Sequence, residues 1–224
     1  LPLALHALHG ADYEARAEAA PASRRGADEQ RLTAGDPAEA RESEAELAQA
    51  IERAAKPFVF IGGGSGVCVS PDGYIFTSQH VVGCQSRWTV RVYGTGEFYC
   101  AEVVGGDPTG DVALLKIANA RQLPWAPLAD LSRARVGQWV LALGDPYKLG
   151  DQDGAPSVSL GTLCALHRYQ SDPRAGKTAF YADALQTDAA VNPGSSGGPL
   201  MTLDGELLGL TGQIMARFGG KTNT

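Results

Sequence analysis

From Phe58 onward the chain breaks into short apolar runs separated by Gly, Asp and Pro. That spacing suits an all-β fold and is too short for a helical period to develop. Eleven runs read as strands: Phe58–Ile61, Gly66–Ser70, Tyr74–Ser78, Trp88–Tyr93, Phe98–Val104, Val112–Ile117, Trp139–Leu143, Ser157–Arg168, Phe180–Thr187, Gly198–Thr202 and Leu207–Met215. Turns fall at Pro71-Asp72-Gly73, Gly94-Thr95-Gly96 and Asp204-Gly205, where these residue types supply the required backbone angles. No internal repeat is legible. The segment Leu128–Gln138 carries little strand signal and reads as the join between two barrels.

The chain ahead of Phe58 is different. Residues 1–35 are rich in Ala, Glu, Arg and Gly with one aromatic, Tyr13, a composition that buries little and reads as linker or disordered tail. Leu1–Leu8 reads as a short apolar patch in that tail, with the remnant of a signal peptide's apolar region as the alternative. Asp36-Pro37 is a helix start, Asp at the cap and Pro at the first helical position. The helix expected over 36–56 places Ala40, Ser43, Leu47, Ala50, Ile51 and Ala54 near one face. Residues 57–224 then read as the β domain, with stretches at about 57–128 and about 136–224 on either side of the Leu128–Gln138 join.

Charge and cysteine usage narrow the function. The formal net charge of −6 argues against a nucleic-acid partner, since phosphate binding needs a clustered basic surface. No apolar run approaches the roughly 18 residues of a membrane helix. Cys68, Cys84, Cys100 and Cys164 lie far apart without C-x-x-C spacing, so no metal site is expected. They read as free thiols packed as small apolar groups, with disulfides the alternative.

Three segments carry chemistry. Asn192-Pro193-Gly194-Ser195-Ser196-Gly197-Gly198-Pro199 is a glycine-rich turn. Such a turn exposes a Ser and converges backbone N–H groups on an oxyanion, and a Ser nucleophile needs both that hole and a base. A plain Gly-rich β-turn is the competing reading. Tyr74–Val82 leads a β-run into His80 followed by two Val, which places the imidazole at a strand end. His6, His9 and His167 lack such company and read as structural. Asp111 borders the apolar run Val112–Ile117 and can be buried against a His, whereas Asp107 sits in a turn. The order His80, Asp111, Ser196 matches the chymotrypsin arrangement and not those of subtilisin or the α/β-hydrolases.

The segments GSGVCVSPDGYIFTSQHVV, EVVGGDPTGDVALLKI, SVSLGTLCALHR and LQTDAAVNPGSSGGPLMTLDGELLGL resemble the HtrA-type (Deg-type) trypsin-like serine proteases. The resemblance covers about 58–215. It implies two antiparallel six-stranded β-barrels of the chymotrypsin kind with the catalytic residues between them. It also implies ATP-independent cleavage of unfolded or damaged proteins outside the cytoplasm, in periplasmic or secreted form. Assembly into a homotrimer and a following PDZ domain belong to the same implication. Carried over residue by residue, it makes Ser196 the nucleophile, His80 the base and Asp111 the orienting carboxylate. The N–H groups of Gly194 and Ser196, joined by Ser195, form the oxyanion hole. Val191, Ile214 and Met215 line an apolar specificity pocket, and Thr211, Gly212 and Gln213 offer a backbone edge to a substrate strand. No metal or cofactor enters this chemistry.

Three features depart from the family. Ser195 stands where Asn is usual, few N-terminal aromatics are present for a trimer contact, and the sequence stops at Gly219–Thr224. The last of these leads to the expectation that the second barrel lacks its final strand. Two rival readings remain: a non-catalytic peptide binder or holdase on the same scaffold, and a carboxylester hydrolase with the same nucleophile.

Overall fold

The computed structural model describes residues 37–171 and 180–212. The chain divides into two units, Leu1–Ala40 and Arg41–Thr224. The described part of the first is the opening of helix α1 (Pro37–Ala55). The tail, the cap at Asp36, His6 and His9, and residues 213–224 lie outside the described residues.

Eleven strands follow among the described residues: β1 (Phe58–Ile61), β2 (Gly64–Cys68), β3 (Tyr74–Thr77), β4 (Arg87–Val92), β5 (Phe98–Asp107), β6 (Val112–Ile117), β7 (Trp139–Gly144), β8 (Ser157–Ser171), β9 (Phe180–Thr187), β10 (Pro199–Thr202) and β11 (Leu207–Leu210). The first six close into an antiparallel barrel in the order β1-β2-β3-β6-β5-β4, with β4 pairing back onto β1. The remaining five form an antiparallel sheet in the order β11-β10-β7-β8-β9. Two short helices interrupt the strands, α2 (Gln79–Val82) and α3 (Gly150–Asp153). No described helix is long and apolar enough to cross a membrane.

Strands β1 and β7 explain how the halves meet. Alternate side chains of a strand face opposite ways. Val59 and Ile61 of β1 enter the barrel core with Ile75, Val90, Leu115 and Ile117. Phe58 and Phe60 face outward onto Leu141 and Leu143 of β7 and Met201 of β10. Val140 and Ala142 of β7 point the other way, into a third cluster with Leu163, Leu200 and Leu208. Both strands are covered on two sides, which is why FVFI and VLALG read as unbroken apolar runs. Phe58 is fully buried, and burial of a side chain of that size stabilises by about 1.5–3 kcal/mol.

Several expectations are corrected. Only the second half of the α1 stripe is used: Ala50 and Ala54, with the adjacent Ala55, are buried in the central cluster, and Leu47 and Ile51 partly so. Ala40 and Ser43 are exposed. Strand β2 begins two residues before the expected Gly66, because Gly64 and Ser65 already pair with Ile61 and Phe60. A side chain at position 64 would stand 2.7 Å from Val81 Cγ2, so the glycine there serves close packing and not a turn. His80 stands just past the end of β3, as expected, and the sequence did not foretell that a single turn of helix, α2, carries it.

The cysteines are all free, but only Cys68 is buried; Cys84, Cys100 and Cys164 are exposed. Cys100 falls on an outward position of β5, so these three do not pack as small apolar groups. Burial raises the pKa of the Cys68 thiol, partly offset by its hydrogen bond to Ser70 O, and a thiol held neutral is a poor nucleophile. Iodoacetamide on the native chain is therefore expected to modify the three exposed cysteines and spare Cys68 until denaturant is added. Peptide mass mapping checks this, and alkylation of native Cys68 at the rate of the others would contradict the packing described.

Candidate active site

Strand β3 ends at Thr77, and Ser78 stays extended at φ −77° and ψ 142°. One turn of helix follows and is closed when Gly83, at φ 55°, donates its N–H to Gln79 O at 2.9 Å. Val82 is 1% exposed and sinks into the barrel core. The turn carrying His80 is thereby anchored from below.

Asp111 grips this turn at three points. Its backbone carbonyl accepts the Gln79 N–H at 3.1 Å. Carboxylate Oδ1 accepts the His80 N–H at 2.9 Å, and Oδ2 meets the ring Nδ1 at 2.7 Å. The Asp111 side chain is 9% exposed and that of His80 38%. An ionised carboxylate only accepts hydrogen bonds, so the neutral ring carries its proton on Nδ1 and leaves Nε2 as the basic nitrogen. Asp111 does this from a left-handed backbone, φ 57°, which Asp tolerates better than most side chains. Asp107 takes no part: it is not a turn residue as expected but closes β5 opposite Val112, and its Oδ1 accepts the Thr109 N–H at 2.9 Å in the turn that follows.

The Ser196 side is organised by which carbonyls are held. Ser195 N–H donates to Asn192 O at 2.9 Å, with Pro193 and Gly194 between them and Gly194 at φ 105°. These are the marks of a type II turn. A Cβ at position 194 would overlap Asp145 O, so no other residue fits. In a trans peptide the N–H points opposite to the carbonyl. Pro193 O accepts from Tyr147 N at 2.9 Å, which turns the Gly194 N–H the other way. Ser195 O accepts from Gly198 N at 2.9 Å and from Thr211 Oγ1 at 2.5 Å, which does the same for the Ser196 N–H. Among the described residues, neither of these two N–H groups has an acceptor. The Ser195 N–H is engaged by Asn192, so the turn presents two donors and not the three expected.

The two sides touch through Gly197. A side chain there would stand 2.6 Å from Ser78 N, so the residue after Ser196 packs on the stretch that leads to His80. Among the described residues, Ser196 Oγ makes no hydrogen bond.

Of the expected substrate contacts, Val191 borders a cavity of about 240 Å³ that also meets Ala142, Ser157, Val158, Ser159 and Ala190. Among the described residues, no ionisable side chain lines it. Thr211 is corrected: it is buried, its N–H donates to Gly198 O at 2.8 Å and its carbonyl accepts from Gly197 N at 2.7 Å. Its backbone supports the Ser196 loop and is not offered to a substrate strand. Gly212 is half-buried just beyond it, while Gln213, Ile214 and Met215 lie outside the described residues. The sequence reading missed Tyr147, Asp145 and Ser65, which hold the turn from behind. The glycines around Ser65 were the one available signal of close approach.

Comparison with known proteins adds a family. The model of the trypsin-like peptidase domain matches residues 64–210. Proteins named "Probable periplasmic serine endoprotease DegP-like" are 43% identical over 157 residues in Pseudomonas fulva and in Halomonas elongata, covering 70% of this chain. The chain spans about 30% of the length of these relatives. Among solved structures, the HtrA-type protease AlgW with a tripeptide is 33% identical at a TM-score of 0.67, over 79% of this chain and 57% of that one. The same protease with a decapeptide gives 29% and 0.66, over 79% of this chain and 62% of that one.

Proposed function

From a chain that belongs to the trypsin-like peptidase family, we propose a serine endopeptidase working through an acyl-enzyme. His80 Nε2 takes the proton of Ser196 Oγ as the oxygen attacks the peptide carbonyl, and the Asp111 carboxylate stabilises the imidazolium that forms. The N–H groups of Gly194 and Ser196 receive the developing oxyanion. His80 then gives its proton to the leaving amine, and water repeats the sequence on the ester. The observation that carries this reading is the pair of hydrogen bonds between Asp111 and His80, one oxygen accepting the backbone N–H and the other meeting Nδ1. A structural His needs no such fixing of both tautomer and orientation.

Unfolded or damaged polypeptides are the proposed substrates, in an extracytoplasmic setting in keeping with relatives named periplasmic. The homotrimer and the PDZ domain implied by the resemblance are proposed for the whole protein. An aliphatic residue before the cut fits Val191, Ile214 and Met215. Burying it contributes about 1.5–3 kcal/mol, whereas a Lys or Arg would be desolvated without a counter-charge.

The test combines a fluorophosphonate probe with casein and a peptide library. The probe is expected on Ser196, denatured casein is expected to be cut, and the library should favour Val, Ile, Leu or Ala before the cut. Labelling without cleavage of casein would point to an esterase, and no labelling to a non-catalytic binder. A preference for Lys or Arg would sink the pocket assignment.

A further inference from the structure

We propose that Ser65 is the positioning residue of the oxyanion-binding turn, an inference that rests on the peptidase reading above. Ser65 lies on β2 of the closed barrel and is fully buried, yet its hydrogen bonds reach the other half of the site. Its Oγ donates to Gly194 O at 2.8 Å and accepts from Asp145 N at 3.0 Å. Its backbone N–H donates to Ser196 O at 2.9 Å, and its carbonyl accepts from Thr77 Oγ1 at 2.6 Å.

The polarity of this network is fixed. A hydroxyl has one proton and two lone pairs. A backbone N–H can only donate, so the Asp145 N–H takes a lone pair and the Ser65 proton goes to Gly194 O. That carbonyl belongs to the same planar peptide as the Ser195 N–H, whose bond to Asn192 O closes the turn at 2.9 Å. Holding one end of the peptide therefore holds the turn.

Gly194 makes the hold necessary. A glycine at φ 105° has little intrinsic barrier to rotating the peptides on either side. Tyr147 N fixes the peptide before it, through Pro193 O, and Ser65 Oγ fixes the peptide after it. The same residue grips Ser196 through its own N–H and receives Thr77, the last residue of the strand leading to His80. Ser65 thus joins the nucleophile's turn, the loop after β7 and the strand that leads to His80.

The decisive comparison is Ser65→Ala against Thr202→Val in the 224-residue chain. Thr202 is also a buried hydroxyl, accepting the Glu206 N–H at 3.1 Å on β10, and it touches none of these groups. Both variants are expected to melt below the wild type. Only Ser65→Ala is expected to lose kcat, by about ten- to a hundredfold, less than the loss of an oxyanion donor itself. Its KM should stay within about twofold, and inhibition by a peptide aldehyde should weaken in step with kcat/KM. Its crystal structure should find Gly194 O turned from its present place. Should Ser65→Ala not fold, Ser65→Cys, which keeps a weak donor, reads the same split. Unchanged kcat and aldehyde affinity, or an unmoved Gly194 carbonyl, would overturn the proposal. If the wild type turns over no peptide, the peptidase reading falls by itself, and the position of Gly194 O still decides the role of Ser65.

Discussion

Replacing Ser196 by Ala is expected to stop turnover of a denatured substrate while the protein stays folded. The loss should be roughly a millionfold in kcat, as for removal of the nucleophile in Ser–His–Asp enzymes. The structural reason for intact folding is specific. Ser196 is half-buried and its Oγ makes no hydrogen bond among the described residues, so the change orphans no partner. What the fold needs from this residue is its backbone, whose carbonyl accepts from Ser65 N at 2.9 Å, and Ala keeps that. The thermal midpoint should correspond to a stability within about 0.5 kcal/mol of the wild type. Cleavage of labelled casein and a melting curve on the same preparation check both halves. Retained turnover at a wild-type midpoint would remove Ser196 from the mechanism.

The second large effect is expected from Asp111→Asn, a fall of about 10⁴-fold in kcat. Asn has the same shape and accepts the left-handed backbone, and its carbonyl oxygen can still receive the His80 N–H. The difference lies at Nδ1. The amide NH₂ facing the ring donates where the carboxylate accepted, so the ring must carry its proton on Nε2 and can no longer take one from Ser196. Both consequences are measurable: kcat in a peptide assay, and the protonated nitrogen by ¹⁵N chemical shift of the imidazole. A loss below about tenfold would mean that His80 works without its carboxylate partner.

How much of this was legible depended on whether a feature leaves a side-chain pattern. Strands Val112–Ile117 and Phe180–Thr187 match their expected limits: Val, Leu and Ile make up most of the first, and Phe180, Tyr181 and Thr187 stand at the ends of the second. The α2 helix left no trace, since one turn is too short for a helical period. Strand β2 was read two residues late because Gly64 and Ser65 resemble a turn in sequence while lying in a ladder. At the site, His80, Asp111 and Ser196 were readable as residue types in context. The groups that aim the turn were not: Tyr147 contributes a backbone N–H from a left-handed conformation, φ 56°, and Asp145 a backbone N–H to Ser65. Backbone donors carry no side-chain signature, and nothing in the sequence marks a Tyr as left-handed.

The left-handed backbone at Asp111 also shapes how this lineage can change. Few residues hold φ 57° without strain, and Asp and Asn are the foremost after Gly. Glu would keep the charge but bring a longer arm and a poorer backbone, so a conservative exchange of acid for acid is closed. The neighbour most open to drift is Asn, which preserves the architecture and abolishes the chemistry. On the proposed mechanism, a descendant no longer required to cleave would therefore meet few obstacles on the way to a folded, inert binder of polypeptides, and Asn at position 111 would be its signature.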